Sequence, residues 1–97
     1  MTAYVAILED AGPSTAAGVW FPALPGCFSA GDDIDEALRN AGEAIAAYAE
    51  ALAQEGRALP APRSLSALRN DPEVASDIRD HIVALIPVPA ETIPAAE

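Results

Sequence analysis

Between Asp33 and Gly56 the sequence carries a start signal, a repeat and a stop signal in one stretch, and this combination fixes the largest element of the fold. Asp33 can cap a helix while Glu36, three residues on, supplies the acidic form of a capping box. Ile34, Leu38, Ala41, Ile45, Tyr48 and Leu52 recur at steps of three and four, whereas Asp35, Arg39, Glu43, Glu50 and Gln54 fall elsewhere. Gly56 stops the run. The spacing predicts one amphipathic helix reaching Glu55, with an apolar stripe that must be buried against the rest of the chain.

The other apolar runs are short and are punctuated by Pro or Gly. Residues 4–8 show no alternation, the pattern of a strand covered on both faces or held at a sheet centre. After a loop marked by Gly12, Pro13 and Ser14, residues 18–21 form a second strand halted by Pro22, and residues 27–30 a third that ends at Gly31. The extended connector 59–62 leads to Ser64 and to Asp71-Pro72, each the start of a short helix, with Pro72 at the first helical position. His81 opens a fourth strand, 81–86, which Pro87 and Pro89 end. The pattern is an α+β fold: a three-stranded antiparallel meander, one long helix, short helices and a fourth strand. A right-handed return from the helix predicts strand four parallel to strand one, in the sheet order 3-2-1-4. With helices on one face, the other face is expected to lack cover from within the chain, leaving Trp20, Val19 or Phe21 to meet another molecule or water.

A chain of 97 residues has room for one domain, placed at 1–89, with 90–97 a Pro- and Ala-rich tail or truncated linker. Fifteen acids face five arginines, for a formal charge of −10. That field repels phosphate backbones and anionic lipid, so no nucleic acid and no membrane is expected as a partner of this chain alone. A basic macromolecule fits the charge, and so does simple solubility. One cysteine excludes an internal disulfide, and the start Met1-Thr2-Ala3-Tyr4 lacks a basic, apolar leader, so the expected location is cytoplasmic.

Catalytic constellations are missing where they would be needed. Two-metal hydrolysis requires converging carboxylates, and the first and fourth strands offer none. Asp32, Asp33, Asp35 and Glu36 are clustered, yet they lack the spaced ligands of a calcium loop; capping accounts for Asp33 and Glu36, with partner contact overlaid on Asp32 and Asp35. In the order 3-2-1-4, Cys27 and His81 lie three strand spacings apart, roughly 14 Å, too far for a nucleophile and its base. One Cys and one His do not make a zinc site. The expectation is a non-enzyme without cofactor or metal. Trp20 is open between core, dimer anchor and partner anchor.

Several pieces then fall together: Gly18-Val19-Trp20-Phe21-Pro22, Leu24-Pro25-Gly26-Cys27-Phe28-Ser29, Gly31-Asp32, Glu36-Ala37, Asn40-Ala41, and Gly56 with Leu59-Pro60-Ala61-Pro62. In combination they resemble the HicB antitoxin family over roughly residues 4–88. The resemblance implies a partial ribonuclease-H-like fold, a homo-oligomer, and neutralisation of HicA, a small basic RNA-cleaving toxin with a double-stranded-RNA-binding-like fold. Many HicB proteins continue into a ribbon-helix-helix or helix-turn-helix domain that binds their operator, and operator binding is not carried over to this chain. The expected function is masking of a HicA-type toxin, with Trp20, Phe21, Asp32 and Asp35 as partner-binding residues. The alternative is an oligomerisation or sensor domain of a transcription regulator.

Overall fold

A computed structural model describes residues 2–89. The elements follow as β1 (Ala3–Glu9), β2 (Ala17–Trp20), β3 (Phe28–Gly31), α1 (Ile34–Gln54), α2 (Leu65–Arg69), α3 (Ala75–Asp80) and β4 (Ile82–Pro87). The sheet order is β3-β2-β1-β4, as the meander and return predict. β1 is central, and its five residues from Tyr4 to Leu8 are all buried, which is why its sequence shows no alternation.

α1 begins as its signals require. The Asp33 carboxylate accepts from the Glu36 amide at 2.8 Å, while the Glu36 carboxylate reaches back to the Asp32 amide at 2.7 Å. Gly56 follows the last turn with φ of 72°, the left-handed region that suits glycine. The helix packs on the face formed by Tyr4, Ala6, Leu8, Ala17, Val19 and Ile86. Its buried line is Ala37, Ala41, Ile45, Ala49 and Leu52, while Ile34, Leu38 and Tyr48 flank it half-buried. Small residues at the centre let the backbones approach. A Cβ on Gly31 would stand 2.6 Å from the Ala37 amide nitrogen, so β3 can meet the first turn of α1 only with glycine there. The Tyr48 hydroxyl donates to Pro25 O at 2.8 Å, and the Ser29 hydroxyl to Ala37 O at 2.9 Å, tying both ends of the 25–31 segment to the helix.

The fourth strand corrects the expectation: it runs antiparallel to β1, with Leu8 opposite Ile82 and Ala3 opposite Pro87. It is therefore not the parallel return expected of a partial ribonuclease-H-like arrangement. The handedness rule governs a single crossover between parallel strands, and this chain makes two passes. α1 carries it from the Glu9 end of β1 back to the Tyr4 end, where the Tyr4 hydroxyl donates to Pro60 O. The segment holding α2 and α3 then returns it to the Leu8 end, where β4 begins. The Ser64 hydroxyl caps α2 through the Ala67 amide at 3.1 Å. Pro72 falls in a turn ahead of α3, not at its first helical residue: the Asp71 carboxylate accepts from the Glu73 amide, and α3 starts at Ala75.

That second pass also changes the expectation of an uncovered face. Val5 and Ile7, whose side chains alternate away from α1, are 3% and 0% exposed. Leu68 on α2 is likewise fully buried and stands outside the α1 core cluster. The 63–81 segment is the described part of the chain left to cover them, and the His81 ring at its end meets Trp20 edge-on at 5.3 Å.

Two substitutions check this account. Asp33→Ala should lower unfolding free energy by about 0.5–2 kcal/mol and Asp33→Ser by much less, read from chemical denaturation. Gly31→Ala should cost about 1–3 kcal/mol through overpacking on α1, whereas Gly18→Ala, whose new Cβ has nothing within 4 Å, should leave the midpoint close to wild type.

Candidate partner-binding surface

The register brings acids from three separate segments to one end of the sheet. Gly31 lies opposite Ala17, Gly18 opposite Glu9, and Leu8 opposite Ile82. Glu9 and Asp10 leaving β1, Asp32, Asp33 and Asp35 between β3 and α1, and Asp80 entering β4 therefore share this rim, and all six are exposed. The loop at the opposite end, residues 21–27, contains no charged residue. Asp33 is committed to the cap, and Asp80 pairs with Arg79 at 3.2 Å in solvent, a weak interaction for two exposed groups. Asp32 and Asp35 take no side-chain part in the cap and remain available. Among the described residues no group of three or more His, Cys, Asp or Glu is placed to hold a metal ion, so the acids form a field, not a pocket.

The sheet face away from α1 carries an apolar row. Phe28 lies opposite Trp20, Trp20 opposite Ile7, and Ile7 opposite Val83, so one residue from each strand stands in line. Ile7 is sealed, Trp20 is half-buried against His81, and Phe28 is 70% exposed at the β3 edge. Leu85 stands on the same face at the other edge, 68% exposed. Of the sequence-derived contact residues, the structure brings Asp32 and Asp35 together on the rim and puts Trp20 on this row. Phe21 is corrected: at 2% exposure it belongs to the α1 core, with Val19, because both alternate to the opposite face from Trp20. Phe28 was missed, although its alternation with the buried Cys27 carries the signal.

A model of the family described as "HicB_like antitoxin of bacterial toxin-antitoxin system" matches residues 4–96. The chain belongs to this family. Among curated relatives, an uncharacterised 14.9 kDa protein from the rep–hol intergenic region of Haemophilus phage HP1 is 39% identical over 67 residues, 69% of this chain and 47% of that protein. The chain spans about half the length of the curated relatives it matches. The N-terminal domain of the Burkholderia pseudomallei antitoxin HicB is similar with a TM-score of 0.70 and 27% identity, covering 91% of this chain and 99% of that one. A chain of the HicA3–HicB3 toxin–antitoxin complex is similar with a TM-score of 0.68 and 27% identity, at the same coverage.

In this HicB-like chain the Cys27 and His81 side chains serve different neighbours. The thiol is buried under α1, donating to Ala44 O at 3.6 Å, and burial pushes its pKa up to about 11. His81 caps α3, its Nδ1 3.0 Å from Asp77 O, and packs on Trp20. A thiol held protonated beneath a helix is a packing group. Native protein should consequently react with a thiol-specific reagent at pH 8 at least about 100-fold more slowly than protein unfolded in guanidinium, followed by absorbance of the released chromophore.

Proposed function

We propose that this chain is an antitoxin that binds a small basic HicA-type toxin and masks its RNA-contacting surface, with no catalytic step of its own. The observation that carries the reading is the gathering of acids from three segments on one rim of a HicB-family sheet. A toxin that cleaves RNA must present cations to phosphate, and an acidic rim competes for those cations. The similar HicB3 protein forms a complex with HicA3, which supports the same pairing here. The encounter would take place in the cytoplasm, where RNA is the toxin's target.

Two terms divide the work. Asp32 and Asp35 act at a distance, raising the association rate in a salt-dependent way. Trp20 and Phe28 supply the apolar contact that slows dissociation. Phe28 is the cleaner reporter because its exposure makes it dispensable to the core.

With a HicA-type toxin in a stopped-flow or surface-based assay, Asp32→Asn with Asp35→Asn should slow association and flatten its salt dependence while leaving dissociation nearly unchanged. Phe28→Ala should instead speed dissociation by roughly 30-fold, about 2 kcal/mol, and Trp20→Ala should act in the same direction. Loss of RNase inhibition should follow the ranking of dissociation constants. An association rate and salt slope unchanged in the double variant would remove the steering role from Asp32 and Asp35.

A further inference from the structure

Among the described residues, every hydrogen bond made by residues 63–81 stays inside that segment. The Arg63 guanidinium donates to the Asp71 carboxylate at 3.0 Å, Asn70 Nδ2 donates to Ser66 O at 3.1 Å, and the His81 ring turns back to Asp77 O. The Val74 and Ala75 amides both donate to Asp71 O, closing the turn between α2 and α3. No such bond runs to α1 or to the sheet. The 25–31 segment is different, since Tyr48, Ser29 and Asn40 all bond across between it and α1.

Side-chain packing is therefore what holds residues 63–81 down, and it is sparse. Only Leu68 is buried in the segment, and α3 buries nothing. On the sheet face away from α1 lie Val5 and Ile7, 3% and 0% exposed, and half-buried Trp20, which the His81 ring meets edge-on. Both ends are anchored from outside the segment, by the Tyr4 hydroxyl on Pro60 O and by the pairing of Ile82 with Leu8.

We infer that residues 63–81 form a strap that lifts from the sheet as one unit, leaving α1 and all four strands in place, and so governs access to Trp20, Ile7 and Val5. Lifting breaks no hydrogen bond, because none crosses the boundary. It costs the burial of Leu68 and the contact of His81 with Trp20. Native proteins open first where buried apolar contacts are few. The Arg63–Asp71 pair spans α2 and ends at the turn before α3, which joins the two helices in a single movement. Off the sheet, helices of five and six residues are too short to persist in water, so their amides exchange when the strap is up. The inference concerns the free chain and depends on no property of a toxin.

Native-state hydrogen exchange on that chain is the test. Amides of α2 and α3 should converge on one opening free energy and exchange on the order of 100-fold faster than those of β1 and α1, after correction for intrinsic rates. Their denaturant dependence should be well below that of β1, as a small exposed surface requires. Leu68→Asp should hold the strap open: α2 and α3 amides exchange at loop rates, α1 and β1 stay protected, and the emission of the single tryptophan, Trp20, moves to the red. Strap amides that share the free energy and denaturant slope of β1, or that fray separately in α2 and α3, overturn the inference. So does a folded Leu68→Asp protein with a protected strap and unchanged Trp20 emission. If that variant fails to fold, the wild-type exchange decides by the same criteria.

Discussion

A Cβ on Gly31 would come within 2.6 Å of the Ala37 amide nitrogen, which means that β3 runs into the first turn of α1 with no side chain between them. This approach sets the height of the helix above the sheet. Ala37, Ala41 and Ala49 can form its buried line because the gap is narrow, and a chain whose apolar fraction of 52% is rich in alanine can fill a narrow gap without large side chains. The same turn places Asp33 where it can cap and Asp32 and Asp35 where they cannot be buried. Packing and charge are thus fixed by one contact: closing the strand onto the helix is what throws the acids outward onto the rim.

Much of the fold was legible because each element carried its own signals. The cap at Asp33, the stop at Gly56, the uninterrupted apolar run of β1 and the order of the sheet all follow from local pattern and strand adjacency. The direction of β4 did not, since it depends on how many times the chain crosses the sheet between β3 and β4. Residues 57–81 look like connector with two short helices, and nothing local says that they make a second full pass. The Tyr4–Pro60 bond and the Leu8–Ile82 pairing record that pass, but both join residues more than fifty positions apart, a range over which spacing rules are silent.

At the surface, the error over Phe21 and the omission of Phe28 have one cause. Val19, Trp20 and Phe21 are consecutive apolar residues, and grouping them by hydrophobicity ignores that a strand sends neighbours to opposite faces. Alternation puts Val19 and Phe21 under α1 and Trp20 on the other side; the same rule puts Cys27 inside and Phe28 out. Side-chain size decided neither. Asp32 and Asp35 were legible because capping assigns their neighbours Asp33 and Glu36, leaving these two without a structural task. Their company on the rim, Glu9, Asp10 and Asp80, was not, because it requires the register of three strands at once.

Acid placement and edge design then constrain each other. A charge of −10 on so small a chain disfavours self-association unless the charge is kept away from the contact. Here six of the fifteen acids stand on one rim and others lie on the helices and in the loops, while the strand that terminates the sheet is neutral over its whole length. A lysine or glutamate on β4 would have protected that edge at little cost to folding, since two of its side chains are more than half exposed. The strand is neutral instead, in a chain with more than a fifth of its residues charged, and Pro87, which alternates with the residues bonded to β1, leaves its outward row one donor short.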